Sequence, residues 1–121
     1  MKLFAGLNRT YDCSIYLCLV DSSGVVLSRT RFPSGEETPS TLCSLLAAFR
    51  TAYQSPLLLT LTKMDHWEDT LLEALQTLPL TLLLLTESQY LKANFYKRNP
   101  WEDYDPFERA MGMALLGALH S

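Results

Sequence analysis

The stretch LTLLLLT, residues 80–86, decides the fold of this chain. It holds five leucines in seven residues, it carries no charge, and it shows no strict alternation of polar and apolar side chains. That pattern is typical of a parallel β-strand that helices cover on both faces. We therefore predict that residues 80–86 form the central strand of an α/β sheet.

The first third of the chain predicts an antiparallel meander of three strands, at residues 2–7, 13–20 and 25–30. Residues 13–20 alternate between two faces with the period of two expected of a strand. Polar turns follow the first two strands, and Gly24 supplies the conformational freedom that the second turn needs.

The remaining segments alternate between helices and strands. Apolar spacing predicts a helix from Thr38, as its cap, to Tyr53, with Pro39 in its first turn. A strand at residues 57–62, a helix at 65–78 and a last helix at 105–119 follow, which gives the order β-β-β-α-β-α-β-α. Residues 87–104 predict a short helical turn and an irregular connection.

Composition narrows the class of protein. A chain of 121 residues with a net charge of −3 suits one domain, 1–121, without the broad basic face that drives strong duplex binding. The three cysteines, an odd number without C-x-x-C spacing, predict buried thiols in a reducing cytoplasm. No apolar run approaches the roughly 20 residues that span a bilayer, so we expect no membrane association.

Three local matches suggest a family. They are GLN at 6–8 followed by DSSGVVL at 21–27, TKMDHW at 62–67 leading into DTLLEAL at 69–75, and DPFE at 105–108 opening an alanine-rich helix. On these motifs the chain resembles the N-terminal RuvC-like domain of bacterial insertion-sequence transposases of the DEDD type. The resemblance implies a ribonuclease H-like fold, a five-stranded mixed sheet of an antiparallel meander and then parallel strands, with helices on both faces.

The resemblance also implies where a catalytic site would lie. In that family four carboxylates hold two divalent ions at a phosphodiester. The corresponding positions here are Asn8, Thr62, Asp105 and Glu108, so only two of the four are acidic. Asn8 can offer a carbonyl oxygen, but Thr62 cannot replace a carboxylate charge, and such a site should bind Mg²⁺ poorly.

Two function hypotheses follow. The first is a degenerate, non-catalytic domain without a cofactor, which interacts with a protein or associates with nucleic acid. The alternative is a Mg²⁺- or Mn²⁺-dependent nuclease or transposase-related enzyme that uses Asp105 and Glu108 with Asn8 and Asp65. In either case we expect the first strand to run beside the central strand and to bring Asn8, Thr62 and Asp105 together.

The same acidic residues have a structural interpretation. Asp105 and Glu108 have the D-x-x-E spacing of a capping box, which we favour over metal binding. Asp65 and Glu68 repeat that spacing, and we favour capping there more strongly, although Asp65 is also close enough to strand four to act as a displaced carboxylate. His66 is interpreted as a surface or packing residue, with a general base as the alternative.

Two further segments predict partners. A basic and aromatic group in the connection could stack on unpaired bases, or could pack over the sheet edge, as we favour; it comprises Lys92, Tyr96, Lys97, Arg98 and Trp101. Ala110, Ala114 and Ala118 form a stripe that indicates core packing first and a homodimer seam second. A small domain that is 48% apolar and exposes its last helix or its aromatic connection would leave an apolar patch larger than is usual for a monomer, so we expect a symmetric dimer.

Overall fold

The strands and helices follow the predicted order. The computed structural model describes residues 2–86, 88–89 and 105–120. Its elements are β1 (Leu3–Arg9), β2 (Ile15–Val20), β3 (Val26–Phe32), α1 (Thr38–Tyr53), β4 (Leu57–Thr62), a 3-10 turn (Lys63–Asp65), α2 (Asp69–Gln76), β5 (Thr81–Leu85) and α3 (Pro106–Leu119). The predicted connection at residues 87–104 lies outside the described residues except for 88 and 89, which are helical.

The five strands form one open mixed sheet in the order β3-β2-β1-β4-β5. The β1–β2 and β2–β3 pairs are antiparallel, and the β1–β4 and β4–β5 pairs are parallel. This confirms an α/β fold in which a meander leads into parallel strands. β1 is the central strand, since two strands lie on each side of it.

The predicted central position of residues 80–86 is wrong. Within the described chain β5 pairs with β4 alone and lies at the edge of the sheet, so β4 separates it from β1. Its exposure runs from an exposed Thr81 through three half-buried leucines to a buried Leu85. Helices can bury both faces of an edge strand, so a leucine run reports burial and does not report position in the sheet.

One face of the sheet packs against α1 and α2 and is built from leucine. Alternate residues of the central strands point to this side, among them Leu3, Leu7 and Leu59. They meet leucines of both helices, which are Leu42, Leu46, Leu71 and Leu75. Because the leucines of strands and helices interdigitate, this face forms the larger part of the apolar core.

In the described part of the chain, α3 is the helix that covers the other face of the sheet, and it lies very close to the strands. A Cβ atom placed on Gly6 of β1 would lie 2.0 Å from the carbonyl oxygen of Ala110. Ala110 and Ala114 are fully buried, and Ala118 packs against the same cluster. The preferred interpretation of the alanine stripe as core packing is thus confirmed, because small side chains let this helix lie directly on the strands.

Several element boundaries differ from the predictions. β1 extends through Asn8 and Arg9, which were expected in a turn, because both pair with residues of β2. α2 begins at Asp69 instead of residue 65. Thr38 is the first residue of α1 instead of its cap, and its hydroxyl donates to the carbonyl of Pro33 over 2.6 Å.

The cysteines do not share one environment. Cys18 is buried and Cys43 is half-buried, but Cys13 is exposed, so the expectation of three buried thiols is wrong for Cys13. The polar turn after β1 carries it away from the core. Separately, none of the helices in the described ranges is both long and apolar enough to cross a membrane.

Candidate functional site

Arg109 lies at the centre of the candidate site. Its Nη1 atom is 2.8 Å from Oδ1 and 2.9 Å from Oδ2 of Asp65. Only 7% of the Asp65 side chain and 16% of the Arg109 side chain are exposed, so this ion pair is largely removed from water. Water screens such a pair much less than it screens a surface pair.

Asn8 completes the group from the central strand. Its carbonyl oxygen accepts a hydrogen bond from Nη1 of Arg109, and its amide nitrogen donates to the carbonyl of Pro106 over 3.0 Å. Both ends of the amide are therefore used. An aspartate at this position would accept from Arg109 but could not donate to Pro106, so asparagine suits this environment better than the acid.

The 3-10 turn after β4 delivers Asp65 to this point. The indole nitrogen of the buried Trp67 donates to the carbonyl of Thr62 over 3.0 Å and fixes the turn to the end of its strand. The capping interpretation of Asp65 is wrong, because α2 starts four residues later and its N-cap residue is Glu68. The displaced position of Asp65 next to strand four is the placement that the structure shows.

Thr62 follows Thr60 by two residues on β4, just as Asn8 follows Gly6 by two residues on β1, and Gly6 pairs with Thr60. Thr62 is fully buried, and its hydroxyl donates to the carbonyl of Leu85 over 3.4 Å. Thr62 thus joins β4 to β5 and carries no charge. The expected convergence of Asn8, Thr62 and the start of the last helix is present, with β4 and not β5 next to β1.

Asp105 and Glu108 lie at the start of α3, and both are exposed. The Asp105 carboxylate accepts a hydrogen bond from the backbone amide of Phe107 over 2.9 Å, so Asp105 caps the helix as predicted. Phe107 itself meets the ring of Tyr16 edge to face, with 5.0 Å between ring centroids. These contacts fix the first turn of α3 over the sheet.

The described residues of this group do not fit a divalent cation. A two-ion site needs several anionic oxygens facing a common point. Here the Asp65 carboxylate and the Asn8 oxygen both face the Arg109 guanidinium, and the charges of Asp65 and Arg109 cancel. Among the described residues no group of three or more histidine, cysteine or acidic side chains is arranged to hold a metal ion.

An open cleft of about 930 Å³ lies over this group. On one side Arg9 donates to the carbonyl of His66 and contacts the Cys13 sulfur at 3.2 Å. Cys13 and His66 both have positive φ, at 64° and 54°. His66 is exposed on the rim, which agrees with its interpretation as a surface residue.

The structure shifts the pKa values of one carboxyl at the rim of the site and of two thiols in the core. Hydrogen bonds from the Thr10 hydroxyl and from Ser14, with the nearby charge of Arg31, lower the pKa of the Asp12 carboxyl. Burial raises the pKa of the Cys18 thiol, and it also raises the pKa of Cys43. These shifts concern the rim and the core, and they do not mark a catalytic acid or base.

The predicted nucleic-acid contacts Lys92, Tyr96, Lys97, Arg98 and Trp101 lie outside the described residues. Arg109, the residue on which the site is centred, was missed by the sequence analysis. A signal was available, because a cation in the first turns of a helix opposes the helix dipole by about 0.3–1 kcal/mol. Such a placement indicates that the arginine has an acidic partner elsewhere in the fold.

Comparison with known proteins adds no family. No protein-family model matches this sequence, and no curated protein matches it.

Proposed function

We propose that this chain is a degenerate ribonuclease H-like domain of the RuvC type, which acts by binding a partner and not by cutting nucleic acid. The observation that carries the proposal is the Arg109 guanidinium, which binds both Asp65 and Asn8. The strand order and the meeting of Asn8 with the start of α3 support the assignment of the fold. In this interpretation a fixed side-chain cation takes the position that divalent ions would need.

The alternative, a metal-dependent nuclease, would require the same group to bind cations. Asp65 and Asn8 do converge, which is the one observation in its favour. An incoming Mg²⁺ would have to displace Arg109 and lose a largely buried ion pair, at a cost of several kcal/mol. Asp105 is committed to capping α3. We therefore favour the non-catalytic function.

The test compares the parent with a variant in which the site is reopened. Arg109→Ala with Asn8→Asp removes the cation and places a second carboxylate beside Asp65. We expect the parent to leave single-stranded DNA, duplex DNA and RNA–DNA hybrids intact in Mg²⁺ or Mn²⁺. Neither ion should change the melting temperature of the parent protein. The folded variant should be stabilised by Mn²⁺, by about 2.7 kcal/mol at one hundred times the dissociation constant.

Two results would contradict the proposal. One is metal-dependent cleavage by the parent that Asp65→Asn abolishes. The other is an increase in melting temperature with Mn²⁺ that is as large in the parent as in the reopened variant. Circular dichroism shows whether the reopened variant is folded. If the variant is unfolded, the cleavage assays on the parent still decide whether the protein is a metal-dependent nuclease.

We further propose that the domain is a symmetric dimer, with its seam along the outer side of α3. Residues 110–119 carry no charged or hydrogen-bonding side chain, although the helix buries only one face against the sheet. Leu115 and Leu119 are 38% and 81% exposed on the outer side. A helix that is apolar all round is normally covered all round.

Light scattering tests the dimer. Leu115→Gln with Leu119→Gln should convert the dimer to a monomer, whereas Tyr53→Gln removes exposed apolar surface from α1 and should not. A parent mass of 13.7 kDa at high concentration would contradict the dimer.

A further inference from the structure

The outer edge of β3 is the strongest remaining candidate for a binding surface. β3 (Val26–Phe32) is seven residues long, and within the described chain it pairs on one side only, with β2. An edge strand presents a row of backbone donors and acceptors that an added strand can satisfy. Addition of an extended peptide to such an edge is a recurring mode of recognition.

Two arginines set the charge of this edge. Arg29 and Arg31 pair with Cys18 and Tyr16, so both point to the side of the sheet that α3 covers. Both are exposed. Arg31 donates to the Tyr16 hydroxyl over 3.2 Å and lies 3.8 Å from Asp12. Asp12 offsets part of the charge of Arg31, but no acidic side chain among the described residues pairs with Arg29. The edge therefore keeps a net positive charge in a protein whose net charge is −3.

This charge selects among possible occupants. If a second copy paired antiparallel through β3, with the two-fold axis at Thr30, Arg29 of each copy would lie opposite Arg31 of the other. Like charges directly opposite one another destabilise a strand pair. An acidic strand would instead place opposite charges across from the arginines. The edge thus disfavours self-pairing and favours an acidic partner.

The spacing defines the partner further. Side chains two residues apart in a strand point to the same face and lie about 6.8 Å from each other. Two acidic residues separated by one residue would therefore face Arg29 and Arg31 together. The residue between them would face the α1 side of the sheet, where Thr30 lies opposite Leu17 and Leu27 packs against the core.

We propose that β3 binds an extended segment of a partner protein, with acidic residues at alternate positions, as a sixth strand of the sheet. This inference rests on the proposed binding function and names the chemistry of its partner. It requires neither Arg109 nor the cleft. If the parent protein cut DNA, the proposed function would be refuted and this inference would stand. If the peptide did not bind, this inference would be refuted and the non-catalytic function would stand.

The experiment measures fluorescence anisotropy with a labelled peptide of sequence Thr-Glu-Val-Glu-Val-Thr. We expect saturable binding that weakens with added salt, and no binding of the counterpart in which lysine replaces both glutamates. Arg29→Glu should weaken binding about tenfold, since it removes one attraction and adds one repulsion. Arg50→Glu makes the same change of charge at an exposed position on α1 and should have no effect.

A second arm separates strand addition from simple ion pairing. N-methyl groups on alternate peptide residues remove the hydrogen bonds of one peptide edge and keep its charge. Binding should be lost when the methylated edge is the pairing edge and kept when it is the other. Equal binding of both methylated peptides, or no binding of the parent peptide, would overturn the proposal. The proposal would also be overturned if a single-stranded oligonucleotide bound the parent, Arg29→Glu weakened that binding, and the peptide did not bind. These measurements on the parent hold even if Arg29→Glu fails to fold.

Discussion

The two faces of the sheet are built on different principles. On the α1 and α2 face, leucines from strands and helices interdigitate, and their flexible side chains fill the space between backbones. On the α3 face the backbones of β1 and α3 meet at Gly6, and Gly117 lies directly against the Thr60 side chain. Polar groups such as Asn8 and Thr60 lie among the apolar ones on this face. The first face can adapt by repacking side chains, whereas the second depends on shape and on satisfied polar contacts.

Gly6→Ala should show the difference most strongly. The new Cβ would lie 2.0 Å from the Ala110 carbonyl oxygen and 2.5 Å from the Ala114 nitrogen, and neither backbone atom can move without shifting α3. We expect a loss of about 3 kcal/mol or more in the free energy of unfolding. On the leucine face, Leu59→Met keeps the volume and should cost less than about 1.5 kcal/mol.

Urea denaturation of the variants measures both values. Gly35→Ala is the matched control, since a Cβ there would have only the Thr38 hydroxyl near it, at 3.9 Å, and its cost should be small. If Gly6→Ala cost no more than Gly35→Ala, the direct backbone contact of α3 with β1 would be refuted.

Arg109→Met should give the next largest effect. Methionine retains much of the length of arginine but leaves the Asp65 carboxylate, only 7% exposed, without its cation. Breaking a buried pair from one side costs about 3–5 kcal/mol, and the residual exposure of both partners places our expectation at about 2–3 kcal/mol.

A double-mutant cycle isolates this charge effect. Asp65→Asn in the Arg109→Met background should recover part of the loss, because no charge then remains unpaired. Urea denaturation of the two single variants and the double variant supplies the cycle. Strictly additive losses would mean that Arg109 and Asp65 do not interact in solution.

Thr60→Val tests the polar residues of the α3 face at a smaller scale. The Thr60 hydroxyl is buried and has no hydrogen-bond partner among the described residues, whereas the Thr62 hydroxyl donates to Leu85. Replacement by a methyl group should therefore stabilise the protein by about 1 kcal/mol at Thr60 and destabilise it by about that amount at Thr62. Melting curves that shifted in the same direction for both variants would contradict this assignment.

The cysteines give the smallest effect. In the native protein, Cys13 should react first with a thiol reagent, Cys43 more slowly, and Cys18 only upon unfolding. Burial raises the pKa of the Cys18 thiol in the folded state. The neutral Cys18 thiol therefore contributes fully to stability below the pKa of the thiol in the unfolded chain, about 8.5. This contribution is lost as the pH rises through the higher pKa of the thiol in the folded protein. Mass spectrometry after timed labelling measures the three rates. If Cys18 were labelled as fast as Cys13, α3 would not cover β2.

The sequence was most informative where a pattern is local. The leucine-rich run located β4 at Leu57–Thr62, and the D-P-x-E signal located the cap of α3. The family resemblance identified Asn8, Thr62 and the start of the last helix as neighbours. Local sequence patterns failed where a property depends on distant residues. Whether β5 lies at an edge of the sheet is decided by which strands pair.

Arg109 illustrates the same limit at the site. Its partners are separated from it by 44 and 101 residues along the chain, and no local pattern links an arginine to such distant groups. Asp65 fits the spacing of a helix cap, so local interpretation favoured that function. The polar Asn8 and Arg9 fit a turn for the same reason, although pairing with β2 keeps them in the strand.

The contact of Asn8 with Pro106 joins residues 98 positions apart, and it has a consequence for how the chain is made. A ribosome synthesises β1 long before α3, so a nascent chain can complete the leucine face while the other face still lacks its helix. During that interval Phe4, Cys18 and Leu58 would be open to other apolar surfaces. Contacts between distant segments also slow folding. Chaperone binding during translation should therefore concentrate on this single uncovered face.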